Sequence, residues 1–187
     1  YTAEEETALL TELITEDIAS TNSNEFKKKM DVELKKLSID ASSDLIDAWL
    51  YTLYAEVSQM NNQLTSFEAD LAMLTEKEVD VLKKTEIVKI EDKVLKALLE
   101  EIHSNEYMNF EKSGDLFHVE PNFEKIKESY GEYMREDMQA YIDLSIEEMK
   151  KDFFDAEKNT FDLEVIAERI LTLESMLEKF PDSVYFQ

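Results

Sequence analysis

The chain has 187 residues and a formal net charge of -24, from 44 acidic against 20 basic residues. Two glycines and two prolines are too few turn residues for an all-β or α/β domain of this length, and the lack of cysteine excludes disulfides, thiolate metal sites and cysteine nucleophiles. So acidic a chain is repelled by phosphate backbones and anionic lipid surfaces, and no nucleic-acid partner is expected.

The acid is spread along the chain rather than gathered in a tail. From Leu37 to Glu76 there are seven carboxylates and no Lys, Arg or His. The hydrophobic fraction of 43% is enough for a sizeable core. No run approaches the ~18 apolar residues of a membrane span, so no transmembrane segment is expected.

Thr2 and Glu5 have capping-box spacing. Leu10, Leu13, Ile14 and Ile18 then share one helical face, which ends in the polar run at 20–24. A second helix carries Phe26, Met30, Leu34 and Leu37 on one stripe. Its Lys27, Lys28, Lys29, Lys35 and Lys36 make it the one locally basic element, expected to lie on an acidic neighbour. A third helix starts near Asp44. Ile46, Leu50, Leu53, Val57, Met60, Leu64, Phe67, Leu71 and Leu74 follow an unbroken 4-3 spacing, which predicts one helix of roughly 29 residues, ~44 Å long. Its first half is apolar nearly all round, so Trp49 is expected to be buried. Its second half holds the neutral polar run Gln59, Asn61, Asn62, Gln63, Thr65 and Ser66.

Thr75 and Glu78 repeat the capping-box spacing and predict a turn into a fourth helix, which runs to about His103 through Val79, Leu82, Ile87, Ile90, Val94, Leu98 and Ile102. Residues 105–121 have no helical rhythm. They read as a hairpin-like loop packed on the bundle, with a short strand pair as an option. Phe123, Ile126 and Tyr130 resume the pattern, and Gly131 marks an end or a kink. A fifth long helix carries Met134, Met138, Tyr141, Ile142, Met149 and Phe153. A last one has Leu163, Ile166, Ile170, Leu173, Leu177 and Phe180 on a second 4-3 stripe, stopped by Pro181. The segment from Glu25 to Asp40 aligns without gaps to that from Glu132 to Glu147, which reads as chance likeness between amphipathic helices, with a duplicated helical pair as the alternative. The fold class is therefore all-α: a bundle of five to six mostly long antiparallel helices, with one irregular loop near residues 105–121, in a single elongated domain spanning 1–187.

Few residues carry a chemical signature. Glu100-x-x-His103 has the spacing of bundle di-iron sites, but such sites need a second pair; Asp115-x-x-His118, the one candidate, lies in the non-helical stretch. Both histidines read as buried or loop-anchoring groups. Carboxylate pairs such as Asp152 with Asp155, or Glu147 with Glu148, lie on solvated faces that cannot keep one carboxyl neutral for glycosidase chemistry. No phosphate-binding glycine loop or calcium loop is present. Neither a metal nor a cofactor is expected, and the chain is read as non-enzymatic. Tyr107, Phe110, Phe117, His118, Phe123, Tyr130 and Tyr133 cluster around the irregular loop. They form either a satellite core or a groove for a protein or peptide partner.

Residues 114–123, then Tyr130-Gly-Glu-Tyr133, Met138 to Leu144 and Glu178 to Ser183 resemble a group of uncharacterised exported helical lipoproteins of Gram-positive bacteria. The resemblance covers the C-terminal part of the chain and carries no catalytic motif. It implies a cell-surface helical domain, held through an upstream lipidated leader. A cytoplasmic helical adaptor or regulatory protein is the other reading.

Overall fold

The computed structural model describes residues 1–17, 22–150, 154–155 and 160–186. The protein is mostly helical: α1 (Ala3–Asp17), α2 (Ser23–Glu33), α3 (Ile39–Thr65), α4 (Glu68–Glu76), α5 (Lys93–Ser104), α6 (Phe123–Tyr130), α7 (Glu136–Lys150) and α8 (Leu163–Lys179). Strands β1 (Met108–Ser113) and β2 (Leu116–Pro121) form an antiparallel hairpin, and β3 (Phe154–Asp155) pairs with β4 (Thr160–Phe161). Among the described residues, no helix is long and apolar enough to cross a membrane. Ile18, the break at 20–21, Asp152 and Phe153 lie outside the described residues.

The capping box at the start of α1 forms in both directions: Glu5 N–H donates to Thr2 Oγ1, and Thr2 N–H to the Glu5 carboxylate. Two later helix starts receive a carboxylate from another helix. Ser38 sends its N–H (2.6 Å) and its hydroxyl (2.8 Å) to Glu6 of α1, and these bonds hold the Glu6 carboxyl below the usual carboxylate range. Ser23 presents the same two donors to Glu56 of α3. Each bidentate contact ties a helix N-terminus to a distant turn of chain.

Helix α3 is the central element and packs against α1, α2, β2 and the 3-10 turn at 131–133. It begins at Ile39, a turn earlier than the sequence suggests, because Ser38 caps it by accepting the Ala41 N–H. Leu45, Ile46, Trp49, Leu50, Leu53, Met60 and Leu64 are buried along it. The long striped helix divides: α3 stops at Thr65, and α4 resumes at Glu68. At the junction Ser66 and Phe67 bond back three residues, to Gln63 and Leu64, a 3-10 tightening within the polar run. The stripe survives the break, since Leu64 and Leu71 are both buried.

The fourth predicted helix is corrected more deeply. Thr75 lies in the last turn of α4 instead of starting a helix, with its hydroxyl bonded back to the Leu71 carbonyl. Glu78 takes the left-handed conformation (φ 60°), and Val79 N–H reaches the Leu74 carbonyl at 2.9 Å. This is a Schellman-type stop with Glu where Gly is usual. A 3-10 stretch follows at Lys84–Lys89, and α5 opens only at Lys93, capped by Asp92. Val81, Ile87 and Ile90 are still buried, whereas Val94 is exposed. Glu78→Gly is expected to stabilise the protein by about 0.5–1 kcal/mol in urea unfolding, because glycine pays no Cβ penalty at positive φ.

The two aligned segments do not share a local structure. Leu37 is extended and Ser38 caps a new helix, but the aligned Leu144 and Ser145 lie inside α7. The two segments break at different points, which favours chance likeness between amphipathic patterns over duplication. On α2 and the 3-10 turn at Leu34–Lys36 that follows it, Phe26, Met30 and Leu34 face the core while Lys28, Lys35 and Lys36 are exposed. The basic face is thus turned largely to solvent, and its contacts with carboxylates are short-range pairs such as Lys27–Asp31 and Lys36–Glu33.

Candidate functional site

The stretch at 105–121 is a regular hairpin. Gly114 has φ +60° at the two-residue turn, as a type II′ turn requires of its first position. Pairing of Phe110 with Val119 and Glu111 with His118 assigns alternate residues to opposite faces. Met108, Phe110, Phe117 and Val119 share the inner face, and Met108 and Val119 are buried. Asn109, Glu111, His118 and Glu120 share the outer face.

The free edge of β2 is held by a side chain. Asn61 on α3 donates its amide to the Val119 carbonyl (2.8 Å) and accepts the Val119 N–H (2.7 Å). A primary amide offers a donor and an acceptor side by side, as a peptide unit does. One residue therefore takes the place of a neighbouring strand.

The seven residues singled out around the loop divide into four environments. Tyr107 and Tyr130 are core residues, stacked at 5.9 Å and both edge-on to Trp49 at 5.1 and 5.3 Å. Trp49 is 1% exposed and donates its indole N–H to the Ser23 carbonyl at 3.0 Å. Lys27 lies over both tyrosine rings, at 5.4 and 5.9 Å, with its ammonium on Asp31. Burial lowers the Lys27 pKa, but Asp31 and Tyr107 outweigh it and the net shift is upward. Phe110 and Phe117 are half-buried, 5.8 Å apart, beneath the hairpin. Phe110 meets His103 edge-on, and His103 Nε2 bonds the Val81 carbonyl at 3.1 Å. His103 thus fastens the 77–92 connection to α5. Tyr133 is half-buried in the turn before α7. Only His118 and Phe123 reach a common opening.

That opening is a cleft of about 820 Å³ between the outer face of the hairpin, the start of α6 and α7. Tyr54, Phe123, Tyr141, Ile146 and Met149 supply its apolar wall. Glu111, Glu120, Glu124 and Glu148 carry its negative charge, with Lys112 and Lys150 among them. His118 Nε2 lies 3.5 Å from the Glu120 carboxylate, and Lys150 bonds Glu124 at 3.0 Å. The alternating hairpin faces could have indicated Asn109, Glu111 and Glu120 as cleft residues. The helical periodicity gave no sign that Tyr54 and Tyr141 would meet them. Among the described residues no group of three acidic or His side chains is placed to hold a metal.

The cleft floor is braced by phenols. Tyr54 and Tyr141 hydroxyls lie 3.4 Å apart, Tyr141 stacks on Tyr185 at 5.0 Å, and Tyr185 donates to Asp47 at 3.1 Å. Burial, then Tyr141, pushes the Tyr54 pKa up, and burial with Asp47 does the same to Tyr185. Burial with hydrogen bonds to Tyr107 and Asp31 raises Tyr130. A raised phenol favours the folded state while it stays protonated. That contribution is fully present below the unfolded pKa of about 10 and is lost as pH rises toward the folded value. Urea titrations are expected to give steady stability to about pH 9.5, then a fall of up to ~1.4 kcal/mol per pH unit for each such tyrosine.

No protein-family model, curated protein or solved structure matches the chain.

Proposed function

We propose that this protein is a non-enzymatic binding domain, displayed at the cell surface or outside the cytoplasm, and that the cleft between the hairpin and α7 receives a protein or peptide segment. The observation that carries this reading is the cleft itself. An aromatic and aliphatic wall stands beside four carboxylates from four separate elements. Such a site favours a segment that pairs a Lys or Arg with an apolar neighbour. The surface location rests on the resemblance to exported helical lipoproteins, which also suggests an upstream lipid anchor.

A peptide array that varies charge and aromatic content, read with the purified protein, tests the cleft. Basic-apolar peptides are expected to bind better than acidic ones. Glu120→Gln combined with Glu124→Gln is expected to weaken them by about tenfold, ~1.4 kcal/mol, with unchanged circular dichroism. Equal binding by the double variant would eliminate the cleft as the contact.

A further inference from the structure

Helix α8 buries none of its residues, although more than half of them are apolar. Among the described side chains of α1 none is buried either, but its apolar residues Leu10, Leu13 and Ile14 pack against the core. On α8, Leu163 is 75% exposed, Leu171 65%, Ile170 52% and Leu177 44%. One side of the helix is accounted for: Val165, Ile166, Thr172, Leu173 and Met176 are half-buried, and Arg169 is ion-paired to Glu148 of α7 at 2.8 Å. The other side is formed by two rows at seven-residue spacing, Leu163–Ile170–Leu177 and Glu164–Leu171–Glu178, with Ala167 and Glu174 between them. The helix is well defined at both ends, capped by Asp162 and stopped before Pro181. A straight apolar row two turns apart on a rigid helix is the pattern that packs against another helix.

The charges on that face identify the occupant. Glu164, Glu174 and Glu178 are exposed among the four apolar side chains, and no Lys or Arg is interleaved with them; Lys179 lies at the far end, within 3.8 Å of Glu136. A second copy of α8 would set carboxylates against carboxylates along the seam, within a chain that already carries -24 charges. A lipid surface would have to accept glutamates inside the apolar stripe. A helix whose apolar stripe is edged by Lys or Arg answers both the apolar row and the charges.

We propose that the outer face of α8 is a docking surface for a basic amphipathic helix of another protein. The surface uses other residues than the cleft, so each site can fail without the other.

The test uses the full chain and a labelled amphipathic peptide of about 18 residues, long enough to form a helix on contact, built from Leu and Lys. Anisotropy is read at about 0.15 M salt, where long-range attraction is screened. The combined variant L163S, I170S and L177S is expected to weaken binding by about tenfold, ~1.4 kcal/mol, with unchanged circular dichroism. E174K with E178K leaves the apolar row intact; it is expected to weaken the Leu/Lys peptide and to admit a Leu/Glu peptide. E4K with E12K makes the same charge change on α1 and is expected to leave binding nearly unaltered. Equal losses from the α1 and α8 charge variants would reduce the effect to general electrostatics and overturn the proposal. So would self-association in sedimentation that the serine variant abolishes, which would assign the face to a second copy. Serine-sensitive adsorption to neutral phosphatidylcholine vesicles would assign it to lipid, with the same consequence.

Discussion

Replacing Trp49 by Ala is expected to cost about 3–5 kcal/mol of folding stability, a large share of the ~5–15 kcal/mol available to a typical domain. Trp49 joins elements that are distant in sequence. It is 1% exposed on α3, meets Tyr107 before the hairpin and Tyr130 at the end of α6, and bonds the start of α2 through Ser23. Truncation removes that apolar contact and opens a cavity that two stacked tyrosines cannot easily fill. Trp49→Phe separates the contributions. It retains most of the ring burial but removes the indole N–H, which leaves the Ser23 carbonyl without that donor at about 1–3 kcal/mol. Urea unfolding followed by circular dichroism measures both variants. A loss below about 1 kcal/mol for Trp49→Ala would contradict the packing described.

The second large effect is expected at Asn61, which the sequence presents only as one of a run of polar residues. Asn61→Leu leaves both backbone groups of the buried Val119 without their partner. Each orphaned group costs about 1–3 kcal/mol, so a loss on the order of 2–6 kcal/mol follows. Asn61→Asp supplies an acceptor but no donor while it is ionised, and sets a carboxylate against a carbonyl oxygen. Protonation restores the donor, so the folded state raises that carboxyl's pKa, and the variant's deficit should shrink as pH falls. Amide exchange at Val119 reports the site directly. It should be well protected in the parent and accelerate strongly in Asn61→Leu. Unchanged protection would show that the hairpin is held by its inner-face contacts alone.

Much of the local structure was legible in the residues alone. The reciprocal Thr2/Glu5 box, the apolar seam of α3, the break at Gly131 and the stop at Pro181 all depend on residues near one another in the chain, and each is found in the structure. Gly114, the glycine in the one stretch without helical rhythm, likewise sits at the hairpin turn.

The rest followed from long-range packing. The 79–102 stripe reads as one helix because periodicity records only which residues seek burial. Val81, Ile87 and Ile90 are buried from turns and a 3-10 segment instead, and the stop at Glu78 lacks the glycine that would announce it. The aromatic group at 107–133 looks like a single cluster in sequence. The two-residue alternation of the hairpin sends Phe110 and Phe117 under the sheet and His118 above it, while Tyr107 and Tyr130 close on Trp49. The cleft depends on Tyr54 and Tyr141 meeting across long chain separations, and no local pattern encodes that meeting. The second 4-3 stripe shows the same limit from the other side. Its spacing predicted a helix, and α8 forms, but spacing cannot say whether the chain's own core covers the stripe. That depends on what the remaining helices leave room for, and on α8 they leave Leu163, Ile170 and Leu177 facing outward.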